Sequence, residues 1–413
     1  MDNINLFQLI SAFSTSIDFA ETGFFYDDSY LNAFQSIKKK NGKFTNHSKR
    51  TAYVAERLSK QISSDSEFLK KAFFVTSLHD IGASFYIEEA HSDKVQMYKH
   101  SVKGSTLIKN FPFMDEEASL AVKYHHENYD GSGHFGLTGN EIPILAQIIR
   151  TADAFDVLYD DDKNNFTQRK HIAEWMNKKK DVIFNPHLID IFIDVQSKDR
   201  FWLDVENIGV NPKIISDIIP EVSLNISWKE LRDIAWVFAD IIDSKSPFTY
   251  THSSGLAKLI NKISGYLNCD EEKRTKLEAA ALLHDIGKLR IPNSILNKPG
   301  KLTDDEYTVI RSHTYYTRYI LSQVDGLSEI TDWAANHHEK LDGSGYPLGI
   351  SGSSLSKEER LMGVCDMYQA LTENRPYRPG MSEAKAFSIL DDSVNKGKIS
   401  GEAVNVLKKV VKS

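Results

Sequence analysis

Apolar residues recur at helical spacing along most of the chain. Between residues 228 and 243 they fall three and four positions apart, as on one face of a helix: Leu231, Ile234, Ala235, Phe238 and Ile242. The segment 54–62 repeats this spacing, and runs that alternate apolar with polar residues are few. The pattern therefore predicts an all-α fold.

The polar residues between these helices occur in the same order in both halves of the chain. A His-Asp pair stands at 79–80 and again at 284–285, and a His-His pair stands at 125–126 and again at 337–338. The copies are 205 residues apart at the first pair and 212 apart at the second, because the segment 289–305 lengthens the second copy. We therefore predict an internal duplication into two tandem helical domains, 1–195 and 196–413.

Composition narrows the class of protein. Of 413 residues, 41% are hydrophobic and 26% are charged, as in an ordinary globular chain. The net charge of −7 argues against duplex nucleic acid as a partner, and no apolar run approaches the ~18 residues that a membrane span needs. Two cysteines and an N-terminus without a basic region favour a cytoplasmic protein.

The repeated polar residues carry the candidate chemistry. The second copy supplies five imidazoles and two carboxylates: His252, His284, Asp285, His313, His337, His338 and Asp366. This set is too large for one tetrahedral zinc ion but suits two octahedral ions that share a carboxylate, for which Asp285 is the natural bridge. Two ions about 3.5–4 Å apart can activate a bridging water and stabilise an in-line phosphoryl displacement. Lys288 lies one helical turn from Asp285 and can meet a phosphate oxygen.

The longer motifs point to a family. The second copy contains HDIGK at 284–288, HHEKLDGSGYP at 337–347 and a stretch from Asp366 that ends in Arg-Pro-Tyr-Arg. In these motifs the chain resembles the HD-GYP family of cyclic dinucleotide phosphodiesterases, a branch of the HD-domain metal-dependent phosphohydrolases. The resemblance implies four contacts to the phosphates and bases of the substrate: Lys288, Tyr346, Arg375 and Arg378.

The resemblance also implies the reaction. A hydroxide that bridges two divalent ions, of Fe, Mn, Ni or Zn, would attack phosphorus with Asp285 and Lys288 as catalytic residues. The substrate would be a signalling dinucleotide, 3′,3′-cGAMP or c-di-GMP or both, and the product a linear dinucleotide. Some members carry a glutamate four residues before the first histidine, which supports a third metal. Phe248 stands there in this chain, so we expect two ions.

The first copy keeps the ligand types but not the substrate contacts. Its candidate metal ligands follow the order of the second copy: His47, His79, Asp80, His100, His125, His126 and Asp153. Ala83 replaces the lysine, His134-Phe135 replaces Tyr-Pro, and no Arg-Pro-Tyr-Arg follows Asp153. We therefore predict a second candidate metal site in a regulatory or weakly active domain. A divergent first copy in a tandem resembles the phosphodiesterases that act on 3′,3′-cGAMP.

Two other functions stay open at this point. The protein can be a receptor that binds a cyclic dinucleotide without cutting it, or an HD-type nucleotidase. The glycine-rich loop and the Arg-Pro-Tyr-Arg segment argue against the nucleotidase, and the complete second ligand set argues against the receptor.

Overall fold

Helices dominate the structure, a computed structural model that describes residues 4–22, 46–83, 94–219, 224–246, 251–374 and 379–412. Strands in this part of the chain are limited to β1 (Ile4–Asn5) and β2 (Asn225–Ile226), which pair antiparallel. The predicted all-α fold is confirmed. No helix of the described residues is both long and apolar enough to cross a membrane.

The chain forms two compact units, and the first is Leu6–Leu224. Its helices are α1 (Leu6–Thr22), α2 (His47–Ile62), α3 (Ser66–Ser77), α4 (Lys94–Ile108), α5 (Glu116–Lys123), α6 (Ile144–Leu158), α7 (Asn165–Lys178), α8 (Pro186–Gln196), α9 (Asp199–Asn207) and α10 (Pro212–Ile218). Helix α2 packs against α3 and α6, and Phe7 of α1 contacts Phe73 and Phe74 of α3. These contacts build the core beneath the histidines of the first copy.

The boundary predicted at residue 195 falls inside this first unit. Helix α9 packs against α8, and α10 packs against α2. Trp202 of α9 donates its indole N–H to the Gln196 carbonyl at 2.8 Å and lies with its ring 5.7 Å from that of Phe155. The aromatic residues that follow residue 195 therefore complete the core of the first unit.

The second unit consists of Asn225–Ser413 together with Met1–Asn5. Its helices are α11 (Trp228–Ser244), α12 (His252–Tyr266), α13 (Glu271–Leu283), α14 (Asn293–Leu296), α15 (Asp304–Leu321), α16 (Ser328–Ala335), α17 (Lys357–Thr372), α18 (Glu383–Asn395) and α19 (Gly401–Val411). Helix α11 confirms the helix predicted over 228–243, and it begins at a capping box formed by Ser227 and Glu230. A 3₁₀ turn, Ile286–Arg290, follows α13.

The duplication extends to the first helix of each unit. Asp18 of α1 accepts a hydrogen bond from Ser48 Oγ at 2.6 Å, and Asp243 of α11 accepts one from Ser253 Oγ at 2.7 Å. Each serine directly follows the first histidine of its copy. The hydrogen bond to the buried aspartate therefore anchors the start of the helix that carries this histidine. The sequence did not reveal this match, because 30 residues separate the first pair and 10 separate the second.

Candidate metal centre and active site

The seven candidate ligands of the second unit lie in one cluster. His252 is the first residue of α12, His284 and Asp285 directly follow α13, and His313 lies within α15. The His-His pair follows α16, and Asp366 lies within α17. Their ligand atoms fall into three groups in which every atom lies within 4.8 Å of the others: His252, His284 and Asp366; His284, Asp285 and His337; His313, His337 and His338.

The two oxygens of Asp285 face different imidazoles. Oδ2 lies 3.1 Å from His284 Nε2 and 4.0 Å from His252 Nε2. Oδ1 lies 3.4 Å from His313 Nε2 and 3.9 Å from His337 Nε2. A carboxylate in this position can be shared by two ions, each with its own set of imidazoles.

Asp366 supplies the second carboxylate. Its Oδ1 lies 3.0 Å from His252 Nε2 and 3.8 Å from His284 Nε2, whereas Oδ2 lies 3.8 Å from His338 Nδ1. Asp366 therefore borders the same two imidazoles as Asp285 Oδ2. His338 is the most accessible of these histidines, with 26% of its side chain exposed.

Backbone contacts fix the ring tautomers of the inner histidines. Three Nδ1 atoms lie at hydrogen-bond distance from the carbonyl three residues earlier: His284 from Ala281 at 2.7 Å, His313 from Ile310 at 2.6 Å and His337 from Ala334 at 2.6 Å. With the proton on Nδ1, each Nε2 points a lone pair into the cluster. His284 Nε2 and Asp285 Oδ1 are buried there without a hydrogen-bond partner.

The electrostatics of the cluster favour the ligand forms of most of its groups. His252 differs: burial would lower its pKa, but its contacts with Asp366 and Glu373 raise that pKa to about 9. Burial lowers the pKa of His313 to about 4 and that of His338 to about 3, so both rings are neutral at pH 7. Burial would raise the pKa of Asp285, but the charges of His284 and Lys288 hold it well below its usual range. Neutral imidazoles and ionised carboxylates are the forms that bind divalent ions, so these residues fit a metal centre.

The first unit contains an equivalent cluster. Asp80 Oδ2 lies 3.1 Å from His79 Nε2 and 3.5 Å from His47 Nε2, whereas Oδ1 lies 3.5 Å from His100 Nε2 and 3.6 Å from His125 Nε2. The two remaining predicted ligands border the same atoms: His126 Nε2 lies 2.9 Å from His100 Nε2, and Asp153 Oδ1 lies 4.0 Å from His47 Nε2. Each unit thus contains an aspartate whose two oxygens face different imidazoles, Asp80 in the first unit and Asp285 in the second.

Each cluster lies within a part of the chain that matches a known family. The family described as HD domain matches residues 44–158 and 236–402. The chain is 32% identical to 3′3′-cGAMP-specific phosphodiesterase 1 of Vibrio cholerae over 88% of this chain and 86% of that protein. The chain belongs to the HD-GYP family of cyclic dinucleotide phosphodiesterases.

Two further relatives and one solved structure of the HD-GYP family extend this finding. The chain is 30% identical to 3′3′-cGAMP-specific phosphodiesterase 3 of V. cholerae over 75% of this chain and 66% of that protein. It is 36% identical to the cyclic di-GMP phosphodiesterase PA4108 of Pseudomonas aeruginosa over 41% of each chain. A crystal structure of a V. cholerae cyclic GMP-AMP-specific phosphodiesterase, V-cGAP3, shares the fold with a TM-score of 0.68 at 22% identity, covering 99% of this chain and 98% of that one.

Three side chains form the border of the HD-GYP site in the second unit. Lys288 donates from Nζ to Asp285 Oδ2 at 2.5 Å and is 20% exposed. The ring of Tyr346 lies 4.9 Å from that of His338, and the Arg311 guanidinium lies over the same tyrosine at 4.7 Å. Arg311 makes no ion pair with the described residues. The predicted contacts Arg375 and Arg378 lie outside the described residues, as does Phe248.

A carboxylate supports the loop that carries Tyr346. Glu339 accepts hydrogen bonds from the backbone N–H groups of Leu348 at 2.7 Å and Ile350 at 3.1 Å. Gly345 passes so close that a Cβ there would lie 2.4 Å from Glu339 Cα. The glycine is therefore needed because the loop folds back on the residue that follows the His-His pair.

Sequence reasoning missed two functional candidates of the second unit. The side chain of Glu373 is 7% exposed, accepts a hydrogen bond from Thr251 Oγ1 at 2.8 Å and lies 3.3 Å from His252 Nδ1, so it orients that ring. Arg311 stands two residues before His313, and that spacing alone gave no signal. The contact of Glu373 with His252 spans 121 residues, and no motif around Glu373 points to it.

Proposed function

We propose that this protein is a cyclic dinucleotide phosphodiesterase whose second unit opens the ring of 3′,3′-cGAMP, c-di-GMP or both to a linear dinucleotide. The two-sided placement of Asp285 between four imidazoles carries this proposal. Such a bridge is the arrangement that a pair of divalent ions requires for phosphodiester hydrolysis. The first unit is proposed to be regulatory or weakly active, and the protein to act in the cytoplasm.

The ligand set divides naturally between two ions. His252, His284 and Asp366 lie on the Oδ2 side of Asp285, whereas His313, His337 and His338 lie on the other side. Fe, Mn, Ni and Zn all suit imidazoles mixed with carboxylates. When bound, two such ions supply an activated water and neutralise charge on the phosphoryl group.

The border residues bind and orient the substrate. The Lys288 ammonium keeps two of its three protons free of Asp285, so it can donate to a phosphate oxygen and stabilise the charge that develops there. The Arg311 guanidinium offers a second cation beside Tyr346, and its stacking on that ring leaves its N–H edge available to a phosphate. A base of the dinucleotide can stack on the same aromatic platform.

The preferred substrate is proposed to be 3′,3′-cGAMP. Two relatives named for 3′3′-cGAMP match 88% and 75% of this chain, which is more than one unit, whereas a third matches 45% of it. The relatives named for cyclic di-GMP match 41% and 38% of it, which is about the length of one unit. A match that extends beyond one unit therefore occurs with two relatives named for 3′3′-cGAMP and with neither of these relatives named for cyclic di-GMP.

The test is a cleavage assay on the full chain, purified without oxygen and supplied with Mn²⁺ or Fe²⁺. The two dinucleotides and a mononucleotide are given separately, and products are resolved by chromatography. We expect linear dinucleotide from 3′,3′-cGAMP at the highest rate and no turnover by the variant His284→Ala/Asp285→Ala. Tight binding without cleavage would support a receptor instead, and cleavage of the mononucleotide alone would support a nucleotidase.

A further inference from the structure

The second unit contains a cavity of about 270 Å³ that none of its seven candidate metal ligands lines. Its volume is just below the range of about 300–1,000 Å³ that is usual for sites of drug-sized ligands, so it has room for one small molecule. The apolar part of its lining comes from the residue after α12 and from α13, α17 and α19: Leu267, Leu277, Leu361, Ala403 and Val406. Such a lining suits the apolar body of a ligand.

Charged side chains line the same cavity, and the cations outnumber the acids. The cations are Lys273, Lys357 and Arg360, and the acids are Glu358 and Glu402. Lys273 Nζ lies 2.5 Å from Glu358 Oε1. Lys357 Nζ lies 3.9 Å from Glu402 Oε1, and these two side chains are 80% and 72% exposed, so the pair is weak. The lining therefore carries an excess of positive charge.

Arg360 is the cation of this lining that has no ion pair with the described residues. One terminal nitrogen donates to the Gly352 carbonyl at 2.5 Å, and Nε is buried without a hydrogen-bond partner. A guanidinium binds a carboxylate through two parallel N–H groups, and it tolerates apolar surroundings better than an ammonium does. The cavity thus fits a small molecule with an apolar body and one carboxylate.

The cavity borders the two helices that position the carboxylates of the metal cluster. Helix α13 leads directly to the His-Asp pair with Asp285, and α17 contains Asp366. Lys273 of α13 and Glu358 of α17 both line the cavity, and their ion pair links the two helices there. A change in this link therefore reaches the spacing between Asp285 and Asp366.

We propose that this cavity is a regulatory site of the second unit for a small amphipathic carboxylate, which Arg360 and the apolar lining hold. The bound carboxylate competes with Glu358 for Lys273 and loosens the link between α13 and α17. Occupancy of the cavity thereby lowers the rate of cleavage at the metal cluster. The effect on cleavage rests on the proposed function, whereas binding to the cavity does not.

Cys269 allows occupancy to be measured without an assay of activity. It lines the cavity, and Cys365, the other cysteine of the chain, is buried. Iodoacetamide should therefore alkylate Cys269 selectively in the folded full chain, at a rate that mass spectrometry follows. We expect octanoate at about four times its Kd to slow this reaction about fivefold, because the occupied cavity shields the thiol.

Two molecules with the same chain length serve as controls for the charge. Octan-1-ol is neutral and octylammonium is a cation, so neither should protect Cys269 as octanoate does. Equal protection by all three would overturn the assignment of an anion. Alkylation that is unaffected by octanoate up to its solubility limit would overturn the site itself.

The variant Val406→Trp tests whether octanoate acts from within the cavity. Val406 lies on α19, and an indole at this position occupies the space of the ligand. We expect octanoate to lower kcat for 3′,3′-cGAMP about fivefold or more in the wild type and to have no effect in Val406→Trp. Lys409→Trp places the same side chain at an exposed position of α19 outside the lining, so it should respond as the wild type does.

The outcomes separate this proposal from the proposed function. Wild-type cleavage that ignores octanoate while Cys269 is protected would overturn the regulatory role and leave the phosphodiesterase intact. An equal response of Val406→Trp and Lys409→Trp to octanoate would place the effect outside the cavity. Failure of the wild type to cleave any dinucleotide would count against the proposed function, and protection of Cys269 would still decide whether the cavity binds the anion.

Discussion

Substitution of Lys288 gives the most direct test of the proposed catalytic chemistry. Its ammonium lies on Asp285 and reaches the open border of the cluster. We expect Lys288→Met to lower kcat for dinucleotide cleavage by about 100-fold, because one cationic donor to the developing charge is lost. Metal content should stay at the wild-type value. The exposed Lys301→Met serves as the control, and an equal kcat in both variants would contradict the assignment.

For Arg311 we predict an effect on substrate binding rather than on the rate of cleavage. Its guanidinium lies over the ring of Tyr346, whereas Lys288 contacts the cluster carboxylate Asp285. Loss of a charge-assisted hydrogen bond to phosphate should raise KM about 10-fold in Arg311→Gln, with kcat changed less than KM. Steady-state kinetics separate the two constants. Arg200→Gln, at an exposed arginine of the first unit, should match the wild type, and an unchanged KM in Arg311→Gln would exclude substrate contact.

For individual residues, the sequence indicated the candidate metal ligands but not the residues that orient them. The histidines and aspartates stand in compact motifs whose residue types alone indicate metal chemistry. The contacts of Glu373 with His252 and of Asp156 with His47 span 121 and 109 residues, so no local pattern reveals them. Such partners become visible only when the fold brings distant helices together.

Among the elements, the 3₁₀ turn that carries Lys288 depends on a buried lysine. Lys245, at the end of α11, donates to the Leu289 carbonyl at 2.6 Å. Burial, with the nearby charge of Arg290, lowers the pKa of Lys245 to about 7. In the unfolded chain a lysine titrates near about 10.4, so between these values the unfolded chain binds more protons than the folded one.

The free energy of unfolding should therefore rise with pH above about 7, by up to about 1.4 kcal/mol per pH unit from this group. Lys245→Met should remove that contribution. Urea unfolding of both proteins between about pH 6 and about pH 9 measures it as a difference in slope. Parallel stability curves for the two proteins would contradict the assignment.

The loop between the His-His pair and Tyr346 is a second element under constraint. In Gly345→Ala the added Cβ would meet the backbone of Glu339 and Lys340 at 2.4 Å, and neither can move without displacing the His-His pair. We expect a loss of about 1–3 kcal/mol in stability together with a loss of cleavage. Gly265→Ala in α12, where the nearest atom is 3.9 Å away, is the control for a harmless methyl group. Full activity of Gly345→Ala would show that the loop adapts.

For the helices themselves, the spacing of apolar residues was sufficient to predict the position of α11. Helix α11 (Trp228–Ser244) matches the range predicted from its apolar spacing, and the structure adds a capping box of Ser227 and Glu230 at its start. The pattern does not say which helices share a core, and for that reason the boundary at residue 195 cut through a unit. Phe201 and Trp202 belong to the core around Phe155, and only the packing assigns them there.

Over the whole molecule, metal binding should be part of stability. An ion that binds only the folded state adds about 2.7 kcal/mol when its concentration is about 100 times Kd. We expect Mn²⁺ to raise the midpoint of thermal unfolding of the chelated full chain. In His284→Ala/Asp285→Ala, the part of this rise in the unfolding midpoint that comes from metal bound to the second unit should be absent. A midpoint independent of metal in the wild type would mean that the clusters do not bind it.

The placement of Asp285 between two sets of imidazoles would make the occupancies of the two proposed metal positions interdependent. An ion on one side orients the carboxylate and neutralises its charge, which alters the affinity of the other side. If the first ion assists the second, intermediate species with a single ion are scarce, and activity follows metal supply as a threshold rather than in proportion. Breakdown of the messenger would then depend on how much transition metal the cell has to spare, so one carboxylate would link metal status to signal lifetime.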